Sequence, residues 1–446
     1  MRRAMRFITR VLALAVVASG AAAVGGSWSN SCAPPLGCEA AHGAEPISGY
    51  QAAVRVEAET RYDWTFVLAN QSLKRPPAEW LGNYDSTAQT YEAYVPPGRP
   101  PARGLPLVLF ISPSAKGTGF GAFKSICEKQ GIAFAGPHAA GNDCDTRRRV
   151  RIVLDVLDDI RRRHPIDLDR TYIAGFSGGG RIACAIAFAL PESFGGVIPI
   201  CAGGDWRDEA WLRHRVVDRL SIAHLTGETD FNRGEVERFR HAYYSAVGVR
   251  SRLWVAAKTG HSVPSAAVLA ETLQWLDEDV ESRRKQSQAA AAFLPAGGRG
   301  AEFPPSREDA AAALLAEGKK KADDAASRYA GLMLMKGALE RWPDAKTAGD
   351  AEQALRRFEQ AEDRTWEKDD VAEQRLHLIA RARSIDAYGS GPLPQQYAAQ
   401  QPDMLTAAVR LWQMVIEDGQ DRRAVAEARR RIPELTKQLE ALGPKK

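Results

Sequence analysis

Ser177 stands in the run Gly175-Phe176-Ser177-Gly178-Gly179, a serine with glycine on either side of its immediate neighbourhood. The run matches G-x-S-x-G, a motif that places a nucleophilic serine on a sharp turn from a strand into a helix. Its surroundings suit that turn: RTYIA before it is β-branched and aromatic, and RIACAIAFAL after it is helix-compatible. Small residues are needed where two backbone segments come together, and the following helix turns its positive end toward any negative charge that develops nearby. Glycine-rich turns also serve packing alone, so the serine must be judged by its partners. A serine hydroxyl is a weak nucleophile at neutral pH and needs a histidine base and a carboxylate to orient that base. SIAHLTGETD ends in a loop bearing Asp230, and SRLWVAAKTGHSVPS in a loop bearing His261, 53 and then 31 residues further along. Each of the three follows a different strand-like run. Glu228, two residues before Asp230, is the other carboxylate in reach and reads as a solvated loop charge.

The elements that must position these residues alternate. Strand-like runs are DWTFVLAN, QTYEAYVPP, LPLVLFISP, IAFAGP, RTYIAG, GGVIPICAG, SIAHLTG and SRLWVAAK. From VRIVLDVLDDIRRRH onward, helical runs with apolar residues on one face separate them. Such alternation predicts βαβ units and a mostly parallel sheet, and the absence of a helix between the first two runs predicts an antiparallel N-terminal edge.

The stretches RTYIAGFSGGGRIACAIAFALPESFGGVIPICAG, LTGETD and GHSVP, in the order Ser, Asp, His, resemble the α/β-hydrolase family, nearest to its secreted esterase, feruloyl-esterase and polyhydroxybutyrate-depolymerase-like group. The resemblance covers about residues 60 to 280 and implies an α/β-hydrolase sheet, no cofactor and an ester-containing substrate. It makes Ser177 the nucleophile, His261 the general base and then acid, and Asp230 the orienting carboxylate. The oxyanion hole would be lined by the backbone of Gly178 and Ser114. In that family the loop after LPLVLF carries His-Gly; here it reads Ser112-Pro113-Ser114-Ala115-Lys116, and Pro113 has no N–H to donate. A peptidase on the same triad, and a catalytically weak scaffold of the same fold, are the alternatives.

Other residues carry less. His138 with Asp143 and Asp145 could hold a cation, but the usual divalent-metal motifs are absent, and no metal is expected. His224 reads as a core histidine, Trp206 as a loop aromatic, and Phe176 as packing under the turn. Arg147, Arg148 and Arg149 read as a solvated helix start. Of six cysteines, Cys32 with Cys38 and Cys127 with Cys144 are the pairs suggested by proximity, whereas Cys184 and Cys201 fit buried apolar thiols.

The ends of the chain differ from its middle. Residues 1–23 have Arg2, Arg3, Arg6 and Arg10 ahead of a short apolar run and small residues at Ala21 and Ala23, the pattern of a cleaved export signal. An exported protein, periplasmic or secreted and with no stable membrane span after cleavage, is therefore expected. Without those arginines the net charge of +5 falls to +1, which gives no global case for nucleic acid. Residues 24–48 read as a linker, 49–284 as the α/β-hydrolase domain, 285–305 as a second linker, and 306–440 as a separate all-α domain of four or five helices. RYAGLMLMKGALERWPDAKTAGDAEQAL resembles a tetratricopeptide-like hairpin, without a second copy at 34 residues. That helical domain is the candidate contact for a protein partner.

Overall fold

A computed structural model describes residues 46–289 and 304–443, apart from 205, 206, 208, 245 and 394. The export signal, most of both linkers, Cys32, Cys38 and Trp206 lie outside the described residues.

Eight strands form one sheet: β1 (Gly49–Arg55), β2 (Thr90–Val95), β3 (Leu105–Ile111), β4 (Ala133–Pro137), β5 (Ile166–Phe176), β6 (Gly196–Ile200), β7 (Ser221–Gly227) and β8 (Arg250–Ala256), in the spatial order β1-β2-β4-β3-β5-β6-β7-β8. The pairs β1/β2 and β2/β4 are antiparallel and all others parallel. This is the expected α/β-hydrolase sheet with its antiparallel edge. Its first strand is not the one expected. DWTFVLAN contains the helix α1 (Trp64–Leu68), because Asp63 caps it: its Oδ1 accepts from the Phe66 N–H (3.3 Å) and the Thr65 hydroxyl (3.0 Å). A capping aspartate outweighs the β preference of five residues, and the edge strand comes from GYQAAVR instead.

The sheet is covered on both faces, which is why its central strands are apolar throughout. Along β3, Leu107, Leu109 and Ile111 enter one core while Val108 and Phe110 enter the other. Helices α3 (Phe120–Gln130) and α8 (Ala266–Asp277) close the second face. The first is closed by α4 (Thr146–Arg163), α5 (Gly178–Ala189) and α6 (Ala210–Arg219). The two faces also decide the cysteines. Cys127 on α3 belongs to one core and Cys144, just before α4, packs against the other, so the pairing suggested by proximity is wrong: both are free thiols, as is Cys201.

The short helices α2 (Ala78–Leu81), α7 (Arg233–Arg238) and α9 (Val280–Ala289) complete this part. The last of these runs into the stretch read as linker, anchored by the buried Arg283, which donates to the Leu276 and Asp169 carbonyls and to the Tyr172 hydroxyl.

A helical region follows the sheet, as expected: α10 (Arg307–Asp323), α11 (Arg328–Arg341), α12 (Ala348–Glu359), α13 (Glu367–Gly389), α14 (Gln401–Asp418) and α15 (Arg422–Ala441). Six helices, not four or five, are present among the described residues. One missed break is an aspartate turn in which Asp324 accepts from the Ala326 N–H and the Ser327 hydroxyl. Lengths of 17, 14, 12, 23, 18 and 20 residues do not repeat a unit, and the tetratricopeptide-like resemblance gains no support. The region divides in two by its packing. Residues of α10 to α12 share the core on the α6 face of the sheet, where Trp211 lies flat against Gly337, while α13 to α15 enclose a core of their own around Trp412. Buried Arg341 ties α11 to the sheet domain through Glu192 (3.2 Å) and Asp63 (3.5 Å). No described helix is long and apolar enough to cross a membrane.

Candidate active site

Three strand ends bring the sequence-selected side chains together. Ser177 follows β5 at φ 54° and ψ −122°, a conformation costing about 1–3 kcal/mol for a residue with a Cβ. Close contact holds it there. The Ser177 N–H donates to the Ile200 carbonyl (2.8 Å), and a Cβ on either Gly175 or Gly179 would strike neighbouring backbone. The turn thus accepts only glycine at those places, and Ser177 Oγ makes no capping bond to the helix that follows it.

His261 Nε2 lies 3.0 Å from Ser177 Oγ, and His261 Nδ1 lies 2.7 Å from Asp230 Oδ1. A carboxylate only accepts, so Nδ1 carries the proton and Nε2 is the lone pair facing the serine hydroxyl. Asp230 is 6 % exposed. Burial opposes its charge, yet its pKa is lowered, because Thr226 Oγ1 (2.7 Å), the Asn232 N–H (3.0 Å), His261 and the Cys201 thiol all donate to it. The carboxylate is therefore ionised at neutral pH. Glu228 is exposed and accepts from the Lys258 N–H (2.9 Å), which leaves Asp230 as the carboxylate at the imidazole.

Two phenyl rings flank the imidazole. Phe231 stacks on it at 4.0 Å while remaining 53 % exposed, and Phe176 sits 4.9 Å away, beside the histidine and not hidden under the turn. Nothing in the sequence marked Phe231, an exposed aromatic next to a site acid.

On the other side of Ser177 the expected donor is engaged. The Ser114 N–H donates to Ser112 Oγ (3.1 Å), and the loop is laced to the segment after β4: the Asn142 N–H donates to the Pro113 carbonyl (2.8 Å) and the Ala139 N–H to the Ala115 carbonyl (2.7 Å). Gly178, as the first residue of α5, has no carbonyl one turn back for its N–H. The arginine run is corrected here. Asp145 caps α4 and Arg148 is exposed, but Arg149 is 5 % exposed, reaching Asn142 Oδ1 (3.1 Å) and the Ser112 carbonyl (3.2 Å). Burial pushes its pKa down to about 10, still charged at neutral pH.

The remaining residues fall elsewhere. His138 is held by Thr90 Oγ1 (2.9 Å), and it is not gathered with Asp143 and Asp145 into a metal-binding group. Among the described residues, Cys201, Asp230 and His261 do bring three donor atoms within 4.8 Å of one another, a closeness that the hydrogen bonds around Asp230 account for. His224 is buried on β7 with its ring stacked on Tyr244.

No family model matches the chain, and no curated protein does. Solved structures with a similar arrangement include an S-formylglutathione hydrolase from Staphylococcus aureus (17 % identity, 43 % of this chain and 90 % of that one, TM-score 0.34). They also include Est1E from Butyrivibrio proteoclasticus (16 %, 44 % and 97 %, TM-score 0.33) and a ferulic acid esterase (14 %, 43 % and 92 %, TM-score 0.34).

Proposed function

We propose that the protein is a serine hydrolase acting on carboxylic esters, with Ser177 as nucleophile, His261 as base and acid, and Asp230 as orienting carboxylate. The observation that carries this reading is the unbroken path of hydrogen bonds from Asp230 through His261 to Ser177. Ser177 Oγ bonds to the ester carbonyl carbon as its proton passes to His261 Nε2, and the carbonyl electron pair moves onto oxygen beside the Gly178 N–H. Collapse of that tetrahedral state breaks the bond to the alkoxy oxygen, which leaves with the proton from His261. Water then repeats the sequence on the acyl-enzyme and releases the acid. No cofactor takes part.

The triad alone does not choose between ester and amide bonds. A fluorophosphonate probe should label the wild type and not Ser177→Ala, and a panel of p-nitrophenyl acyl esters set beside peptide anilides should show turnover of the esters. Turnover confined to the anilides would replace the esterase reading by a peptidase one. A folded protein that neither labels nor turns over would favour an inactive scaffold, the reading supported by the engaged Ser114 N–H. Export is part of the proposal, and N-terminal sequencing of the mature protein tests it.

A further inference from the structure

An acyl-transfer site needs two donors for its oxyanion, and the donor expected from the loop after β3, the Ser114 N–H, is already engaged. Pro113 has no N–H, the Ser114 N–H is bonded to Ser112 Oγ, the Ala115 nitrogen is packed against Gly141, where a Cβ would strike it, the Lys116 N–H is bonded to Ser114 Oγ (3.3 Å), and the Gly117 N–H to the Ser114 carbonyl (3.0 Å). Opposite Gly178 lies a side-chain amide instead. Asn142 is packed so closely on Gly178 that a Cβ built there would lie 2.1 Å from Oδ1 and 3.1 Å from Nδ2.

The orientation of that amide follows from its neighbour. A guanidinium only donates, so the atom facing Arg149 Nη1 (3.1 Å) must be Oδ1. The amino group is then turned away from Arg149, and Nδ2 makes no hydrogen bond among the described residues. The backbone of Asn142 is fixed as well, through its N–H to the Pro113 carbonyl, and Arg149 is fixed by its second contact to the Ser112 carbonyl. A Cβ at 178 would push the amide out of this position. A donor at the end of a held side chain, beside the first N–H of α5, is what a developing negative charge requires.

We infer that Asn142 Nδ2 is the second oxyanion donor of this site, with Arg149 as the positioning residue that sets the amide's orientation. The inference rests on the serine-hydrolase reading above. It replaces the backbone of Ser114 by a side chain from a different loop, so the hole is built from α5 and the β4–α4 connection. The substrate carbonyl oxygen sits between Gly178 and Asn142, and its hydrogen bonds strengthen as the C=O bond becomes single.

The test uses the full chain and p-nitrophenyl butyrate. Asn142→Ala should lower kcat by about 10²- to 10³-fold with KM changed less than about 3-fold. Affinity for a boronic acid that mimics the tetrahedral state should fall by a factor comparable to kcat/KM. Asn142→Asp keeps shape and a partner for Arg149 but has no donor when ionised, so it should fold as the wild type does and be at least as slow. Arg149→Met should lose a smaller factor, about 10-fold, partly restored in Arg149→Lys. An Asn142→Asp variant with more than about a third of wild-type kcat, or an unchanged boronate affinity in a slow variant, would overturn the assignment. Failure of the wild type to label with fluorophosphonate or turn over any ester would overturn the hydrolase reading and this inference together, and that result is read before any Asn142 variant is made.

Discussion

The two sides of Ser177 are built by different means. On the acid–base side, Asp230 and His261 stand on consecutive parallel strand ends, and the carboxylate is held by Thr226, Asn232 and His261 at 2.7 to 3.0 Å. On the oxyanion side, the loop after β3 spends the N–H groups of Ser114, Lys116 and Gly117 on its own oxygens, and the neighbouring loop brings in a side chain held by a buried arginine. One side is made of reactive side chains in a fixed order along the chain. The other depends on which backbone groups remain unspent, and that differs from loop to loop.

The largest effect expected lies at the centre of both. Ser177→Ala or His261→Ala should cost on the order of 10⁶ in kcat and leave the melting temperature within a few degrees. Asp230→Asn should follow at about 10⁴, because an amide can present N–H to Nδ1 and favour the wrong tautomer. The Asp230 loss belongs to the acid–base side alone. If Asp230→Asn cost less than the Asn142 variants, the ranking of the two sides would be reversed, and kcat at pH 7 decides it.

The lowered pKa of Asp230 gives the same side a pH signature in stability. Its folded value lies below the unfolded value of about 3.9, so the stabilisation is fully present above about pH 4 and is lost as pH falls through the folded value. The difference in melting temperature between wild type and Asp230→Asn should be constant from pH 5 to 8 and shrink below pH 4. A difference that grew on acidification would mean the carboxylate is not held by the donors named.

The same contrast explains what was legible in the sequence. Ser177, Asp230 and His261 could be selected because their side-chain chemistry is rare and each follows a strand-like run. The parallel core was legible because strands buried on both faces are apolar at every position, as in β3. The edge strand was not. Asp63 turned a β-prone run into α1, and GYQAAVR lacks the apolar density of a strand because its residues are mostly exposed at the sheet margin. Proximity in sequence misled for Cys127 and Cys144, since a strand between them separates the faces. The roles of Asn142 and Arg149 depend on which N–H groups a loop consumes and on which arginine of three points inward, quantities no residue type reports.

Ser112→Ala is the substitution that sharpens the comparison from the oxyanion side. It removes the acceptor that occupies the Ser114 N–H and frees that donor. With Asn142 as donor, kcat should change by less than about 3-fold, because the loop stays pinned through the Pro113 and Ala115 carbonyls, and stability should fall by about 1 kcal/mol for the lost hydrogen bond. A rise of tenfold or more would return the role to Ser114.

The smallest effect is expected at Cys201, beneath the acid. Its thiol points at Asp230 and, at 3.6 Å, at the Ser262 carbonyl. Burial pushes its pKa well up, and the neighbouring carboxylate adds to that, so the group stays a neutral S–H at neutral pH. An S–H is a weak donor, and three stronger donors to Asp230 remain when it is removed. Cys201→Ala should therefore lower kcat by about 2-fold and leave the acid limb of the pH profile within about 0.3 units, since about 0.4 kcal/mol of carboxylate stabilisation is at stake. The native thiol should also resist iodoacetamide at pH 8, because the thiolate is the reactive form and the side chain is fully buried. Mass spectrometry of the native and denatured protein reads this directly: alkylation at Cys201 only after unfolding fits a neutral donor, whereas rapid native alkylation would mean a thiolate beside the carboxylate, a charge pair that the low pKa of Asp230 does not allow.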